Sequence, residues 1–288
     1  MSDARRIAPL SVGLVLLAIV SIQCGAAIAI SIFDRVGFAG AVLLRNLIAV
    51  PVLAGLWRPS LRGRARSDLW LVAAFGVALG VMNLAIYAAL DRIPLGVAVT
   101  VEFLGPLGVA VFKGRGPLAL LWAALAACGV TALAGPFGGS ADLLGIAFAA
   151  VAAVGWASYI LLGGRVGRVF ADASGLTIGV TIAALIQLPA GLATGGSELV
   201  APAVLGAGAA AAVLSTVVPY AAEIEALRRI PPAPFGVLMS LEPAVAALVG
   251  LVALDQGLGA GEVAGIALVV IASIGAIRTA RLPAPVVD

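Results

Sequence analysis

The sequence predicts an all-α polytopic membrane protein in which ten transmembrane helices form two inverted five-helix repeats. Three observations lead to this fold class: the apolar composition, the distribution of basic residues, and an internal repeat. Hydrophobic residues make up 62% of the 288 residues and charged residues only 11%, whereas a soluble domain carries about 25% charged residues. A soluble chain of this length has no way to bury so much apolar surface, so we expect this one to lie in a lipid bilayer.

Ten apolar stretches are long enough to cross a bilayer as helices, which takes about 20 residues each. The breaks between them are short and contain turn formers, such as Gly138-Gly139-Ser140 and Pro231-Pro232. None of the breaks is long enough to hold a soluble domain. The predicted spans cover residues 8–30, 37–57, 69–89, 94–112, 118–135, 143–162, 175–194, 203–224, 233–254 and 262–279.

The basic residues indicate how the spans are oriented. If the N-terminus is cytoplasmic, 14 of the 17 lysines and arginines fall in cytoplasmic segments. Only Arg35 and Arg92 then lie in outer loops, and Arg45 lies inside a span. Because positive residues concentrate in short cytoplasmic loops, this division favours an even number of spans with both termini in the cytoplasm.

An internal repeat divides the chain into two parts. The hexapeptide Ala89–Pro94 recurs as Ala226–Pro231 with five of six residues identical, and a Tyr-Ala-Ala sequence precedes each copy. An apolar stretch with one glutamate follows each copy, carrying Glu102 in the first and Glu242 in the second. We therefore predict one five-helix repeat over residues 1–137 and another over residues 138–288.

Five is an odd number of helices, so the second repeat must enter the membrane upside down. Inverted repeats of this kind recur in secondary transporters, whose substrate site lies near the membrane midplane between the two halves. This architecture favours a carrier, with the lipid bilayer and a small-molecule substrate as its partners.

Composition argues against several other classes of function. The net charge of +3 gives no indication of a nucleic-acid partner, and the chain contains no histidine. The two cysteines, Cys24 and Cys128, lie in separate apolar stretches and have neither disulfide-framework nor zinc-site spacing. With no G-x-S-x-G or H-E-x-x-H motif, we expect no enzyme, no metal and no cofactor, and no ring of charges suggests a channel filter.

Three charged residues stand out deep inside predicted spans, where each costs about 2.5–3.5 kcal/mol to insert. Arg45 and Glu102 are each eight residues from the outer side, which is roughly 12 Å along a helix, and Glu242 is near the midplane. Arg45 and Glu102 are placed either to form a structural ion pair or to hold the two ends of a zwitterion. Glu102 or Glu242 is alternatively suited to bind a substrate ammonium or to exchange a proton.

Prolines and other polar residues in the spans mark further candidates for the site. Pro106, Pro219 and Pro243 each remove a helical amide donor and leave a carbonyl free near the midplane, either for ligand binding or within a static kink. Polar and aromatic side chains in the spans are candidates for the cavity lining. Those assigned to the site are Asn83, Tyr87, Trp156, Tyr159 and Tyr220.

Several segments resemble one family of carriers. The stretch Ile93–Phe112 (IPLGVAVTVEFLGPLGVAVF) is similar to the fourth helix of the bacterial threonine/homoserine exporters, in the drug/metabolite transporter superfamily with two EamA-type repeats. The segment Leu214–Leu251 resembles their eighth and ninth helices, and GWASYILLGGRVG from Gly155 resembles their sixth. The Leu44-Arg45 step is similar to an arginine position common in the superfamily.

This resemblance implies a carrier in the bacterial cytoplasmic (inner) membrane that exports small neutral amino acids and is driven by the proton gradient. By motif match, it implies importance for Glu102, Glu223 and Glu242. The alternative is a carrier of the same fold for another small molecule, which a broad aromatic cavity without paired charges would favour. The oligomeric state is left open.

Overall fold

The computed structural model of the chain describes residues 9–114, 117–134, 142–170, 173–227, 229 and 232–279. These residues form thirteen α-helices and no β-strand. The predicted junction of the two repeats, both termini, and Arg228, Ile230 and Pro231 of the second motif lie outside the described residues. The helices are α1 (Pro9–Ile30), α2 (Phe33–Leu56), α3 (Arg66–Leu90), α4 (Leu95–Glu102), α5 (Leu104–Gly114), α6 (Pro117–Ala134), α7 (Leu143–Val169), α8 (Ser174–Gly195), α9 (Pro202–Ala212), α10 (Val218–Leu227), α11 (Pro232–Met239), α12 (Glu242–Leu254) and α13 (Ala260–Thr279).

The all-α polytopic membrane fold is confirmed. Within the described residues, nine helical segments are long and apolar enough to cross a membrane, and a shorter apolar helix, Leu120–Ala132, lies at the predicted fifth span. These ten helical segments correspond in order to the ten predicted spans. Helices suit these apolar sequences because, in lipid, every backbone amide and carbonyl must find its hydrogen bond within the protein.

Three of the predicted spans are divided rather than continuous. The fourth is broken at Phe103 between α4 and α5, and the ninth at Ser240-Leu241 between α11 and α12. The eighth contains a π-helical turn, Val213–Val217, between α9 and α10. These are the spans that carry Pro106, Pro219 and Pro243, each two or three residues after the irregularity.

Proline alone does not explain these breaks. Pro51 and Pro189 lie inside α2 and α8, and both helices continue past them. The divided spans therefore depend also on what surrounds them, and all three border the cavity described below.

The helices pack in a pattern that is symmetric between the two parts of the chain. If the five spans of α1–α6 and the five of α7–α13 are counterparts, then α2 packs on its counterpart α8 and α6 on its counterpart α13, and the fourth span meets the ninth through α4 and α12. The contact of α3 with α7 is matched by that of α10 with α1. This pattern is expected of two halves related by an approximate two-fold axis, while the boundary between 137 and 138 stays a prediction.

Glycines allow the matched helices to approach closely. A Cβ added at Gly25 in α1 would lie 2.9 Å from the backbone nitrogen of Ser215, and one at Gly155 in α7 would lie 2.8 Å from the Cβ of Met82. A Cβ at Gly96 in α4 would lie 2.7 Å from the Cα of Ala247 in α12. Small residues at such interfaces are the usual basis of helix packing in membranes.

The buried core differs between the two ends of the bundle. At the end predicted to face outward, one continuous cluster includes Val36, Leu95 and Ala211 and has residues in eight of the ten predicted spans. At the other end, the buried residues fall into three separate clusters, which contain Leu53, Ala226 and Ala272 respectively. Among the described residues, the packing is thus continuous at the outer end and divided into separate clusters at the inner end.

Candidate functional site

A cavity of about 370 Å³ lies in the middle of the bundle, and both halves of the chain contribute to its walls. Its volume is within the range typical of small-molecule sites, about 300–1,000 Å³. All nine residues that sequence analysis assigned to the site line this one cavity. They are Arg45, Asn83, Tyr87, Glu102, Trp156, Tyr159, Tyr220, Glu223 and Glu242.

Arg45 is buried in α2, with a relative exposure of 9%. Its guanidinium carbon lies 5.0 Å from the centre of the Tyr87 ring, a cation–π distance. Among the described residues it forms no salt bridge with a carboxylate, and its Nε has no hydrogen-bond partner. The structural ion pair with Glu102, one of the two arrangements considered from the sequence, is therefore not formed, although both residues line the same cavity.

Glu102 and Glu242 lie at the helix breaks of the fourth and the ninth span. Glu102 is the last residue of α4, and Glu242 is the first residue of α12. Their side chains are 9% and 5% exposed, respectively. Gln23 of α1 donates a hydrogen bond from Nε2 to Oε1 of Glu242 over 3.2 Å, and Oε2 of Glu242 is buried without a partner. Glu102 and Glu223 are both near enough to Glu242 to interact with it electrostatically.

Three carboxyl groups and one guanidinium therefore face the same cavity. An ion in an apolar interior is costly unless it is paired and hydrogen-bonded. Ionisable residues within membrane spans usually face a cavity and act on a substrate or an ion. The arrangement can accept a ligand that carries both a cationic and an anionic group.

Aromatic rings form much of the remaining wall. Phe103 and Trp156 meet edge to face with centroids 5.5 Å apart. Tyr159 stacks on Phe75 at 5.1 Å, and Tyr87 packs against Phe33 at 5.8 Å. These contacts fix the rings, so the wall is largely preformed.

A pair of amides joins the helices behind the charged groups. Asn46, the neighbour of Arg45, donates from Nδ2 to Oε1 of Gln187 in α8 over 2.8 Å. Gln187 in turn donates from Nε2 to the carbonyl of Gly80 in α3 over 3.3 Å. This chain connects α2, α8 and α3, and so it holds the segment that carries Arg45.

Gln23 and Asn46 line the cavity but were not assigned to the site from the sequence. The available signal was an amide side chain inside an apolar span. That signal does not distinguish a residue facing a cavity from one that satisfies a neighbouring helix.

Three polar contacts join the two parts of the chain at the end predicted to be outside. Arg35 forms a salt bridge with Glu198, and Arg92 forms one with Asp142 at 2.6 Å. Oε1 of Gln256 accepts a hydrogen bond from the Leu95 amide, over 2.9 Å. The hydrogen bond from Arg92, together with that from the Leu144 amide, lowers the pKa of the Asp142 carboxyl below its usual value.

In comparisons with known proteins, one family matches part of the chain, and individual relatives match nearly all of it. Residues 143–278 match the EamA-like transporter family. The threonine/homoserine exporter RhtA of Escherichia coli K12 is 38% identical over 275 residues, covering 94% of this chain and 92% of that protein. RhtA of Salmonella typhimurium LT2 is 38% identical over 269 residues, covering 92% and 90%.

A solved crystal structure has a similar fold. It superposes with a TM-score of 0.62 and covers 94% of this chain and 98% of its own. Its sequence identity of 21% limits the likeness to the fold.

Proposed function

We propose that this chain, which belongs to the drug/metabolite transporter superfamily of EamA-type carriers, exports small neutral amino acids such as threonine and homoserine. Membership rests on 38% identity over 94% of the chain to the exporter RhtA, and it confirms the resemblance found in the sequence motifs. The observation that carries the proposed cargo is the cavity itself. It presents to one ligand-sized space three glutamates and a buried arginine that forms no salt bridge among the described residues.

The proposed mechanism is alternating access. Because both halves form the cavity walls, a rocking of one half against the other would open the cavity to each side in turn. One continuous core closes the outer end, whereas three separate clusters flank the inner end. The structure thus supports a state in which the site is closed to the outside and ready to take substrate from the cytoplasm.

We place the chain in the bacterial cytoplasmic membrane with both termini in the cytoplasm. The excess of basic residues in the segments on that side supports this orientation. We further propose that export is coupled to proton uptake. The buried Glu242, with one carboxyl oxygen lacking a partner, supports this coupling because such a group can exchange a proton with the cavity.

A carrier of the same fold for a different solute is the second candidate. It is favoured by the aromatic wall of Tyr87, Phe103, Trp156 and Tyr159, which suits a flat or apolar ligand. The charged groups favour the amino acid, because an apolar ligand would leave Arg45 without an anion.

The two candidates are separated by efflux from liposomes. Purified protein is reconstituted into liposomes loaded with labelled threonine or homoserine, and a proton gradient is imposed. We expect saturable release above that of protein-free liposomes, accelerated by the gradient. If neither amino acid is released while an aromatic cationic dye is, the amino-acid proposal is wrong and the second candidate stands.

A further inference from the structure

Arg45 is held in a geometry that leaves it ready for an external anion. The guanidinium carbon of Arg45 lies 5.0 Å from the centre of the Tyr87 ring, and of the guanidinium N–H groups, that of Nε has no hydrogen-bond partner. Those groups form a planar fork that matches the two oxygens of a carboxylate. No described carboxylate forms a salt bridge with it, so the fork is suited to the carboxylate of a ligand in the cavity.

Glu102 is surrounded by features that favour a cation. It ends helix α4, and the C-terminal end of a helix carries partial negative charge. Its backbone carbonyl also lacks the usual helical donor, because residue 106, four positions later, is a proline without an amide hydrogen. A carboxylate and a free carbonyl at one residue are acceptors suited to an ammonium group.

Glu242 differs from Glu102 both in the end of the helix at which it lies and in the acceptors that it offers. It begins helix α12, and the N-terminal end of a helix favours an anion. Its Oε1 already accepts the hydrogen bond from Gln23. Glu242 is therefore the less suitable of the two to receive an ammonium.

Arg45 and Glu102 both line the cavity, and no salt bridge joins them. We infer that they form a receptor for the backbone of a free α-amino acid, with the carboxylate at Arg45 and the ammonium at Glu102. This inference rests on the proposed export function and deepens it. The side chain of the amino acid then faces the aromatic wall.

The receptor predicts which modifications of the substrate are tolerated. Threonine methyl ester keeps the ammonium but lacks the carboxylate, and N-acetylthreonine keeps the carboxylate but lacks the ammonium. In wild-type liposomes, we expect each to inhibit release of labelled threonine roughly 10- to 100-fold more weakly than unlabelled threonine, as the loss of one charged hydrogen-bond pair implies.

Variants then assign each end of the substrate to its residue. Arg45→Gln should raise the KM for threonine by roughly 10- to 100-fold and remove the discrimination against the methyl ester. It should leave the discrimination against N-acetylthreonine in place. Glu102→Gln should do the reverse, and Arg45→Lys should recover part of the lost affinity because it restores the charge without the fork.

Arg62→Gln is the matched control, since Arg62 is exposed and outside the cavity. We expect it to behave as wild type. The inference is overturned if Arg45→Gln retains both the wild-type KM and the discrimination against the ester. It is equally overturned if the wild-type protein, with all side chains in place, accepts ester and amino acid alike.

Failure of the export function gives a different result. In that case wild-type liposomes release neither threonine nor homoserine, and neither amino acid displaces the other from the purified protein. Release of both without discrimination between free and blocked amino acids would leave the exporter standing and remove the receptor.

Discussion

The two copies of the repeat place the same residue types at matching points and surround them differently. In the first copy Tyr87 covers the guanidinium of Arg45, whereas in the second Tyr220 lies beside Tyr159. Each copy then leads to a divided span with a buried glutamate at its break. The helix break that carries a glutamate is thus common to both copies, but the polar groups around it differ.

The two glutamates show what this difference means chemically. Glu102 has a helix C-terminus and a nearby arginine, whereas Glu242 has a helix N-terminus and an amide donor, Gln23. A duplicated carboxylate has thus acquired two environments suited to two tasks. We interpret the first as substrate binding and the second as proton exchange.

Replacing each glutamate by glutamine should separate these tasks. We expect these two substitutions to have larger effects than substitutions of the glycines, Gln23 or Asp142. We expect Glu242→Gln to lose the acceleration of export by a proton gradient while still exchanging labelled for unlabelled threonine across liposomes. Glu102→Gln should weaken exchange itself and keep the response to the gradient. The amide has nearly the same shape, so both variants should fold.

The comparison of gradient-driven release with exchange at equal pH gives the measurement. A Glu242→Gln variant that still responds to the gradient would remove this residue from the coupling step. A Glu102→Gln variant that loses only the gradient response would reverse the two assignments.

The glycines at the matched interfaces provide the next test. Gly25→Ala and Gly155→Ala each place a Cβ within 3.0 Å of the facing residue, Ser215 or Met82. Overpacking of this kind costs about 1–3 kcal/mol, and symmetric halves predict similar losses. Thermal unfolding of the purified variants in detergent measures both.

Two other glycines in the same helices serve as controls. Gly13 in α1 and Gly164 in α7 have nothing within 4 Å of an added Cβ, so alanine there should be neutral or stabilising. A loss at Gly155 alone, with none at Gly25, would contradict the symmetric packing.

The sequence was sufficient to predict much of the fold and nine residues that line the central cavity. The spans follow from apolar length, and all nine assigned residues line the cavity, because polar groups in lipid-embedded helices turn toward the protein interior. The positions of the helix breaks were not predicted, since the prolines lie two or three residues beyond them. The depth of a residue along a helix does not determine which side of the helix it faces. The sequence therefore left open whether Arg45 and Glu102 pair.

The hydrogen bond between Gln23 and Glu242 offers a smaller effect. Gln23→Leu removes the donor of a 3.2 Å bond, and we expect a loss of stability of about 0.5–1.5 kcal/mol. If the bond carries the effect, the loss should shrink in a Glu242→Met background, where residue 242 has no oxygen to accept the bond, since residues in contact are not additive. An equal loss in both backgrounds would mean that the loss of stability comes from packing and not from the hydrogen bond.

The smallest expected effect concerns the arginine of each repeated motif. Arg92 in the first copy pairs with Asp142 across the two parts of the chain, whereas Arg229 in the second pairs with Glu225 one turn earlier in its own segment. Asp142→Asn keeps a good N-cap for α7 and removes the charge that faces Arg92. Because the pair is exposed, we expect only a slight fall in thermal stability.

The pH dependence of that slight fall has a defined sign. The partners of Asp142 lower the pKa of its carboxyl in the folded protein. Its contribution is therefore fully present above the unfolded pKa of about 3.9 and is lost as the pH falls through the lowered folded value. The difference between wild type and Asp142→Asn should be constant near neutral pH and should disappear in acid. A difference that grows on acidification would mean that the charge of Asp142 destabilises the folded protein, and that the arginine of the first copy does not hold the two parts together.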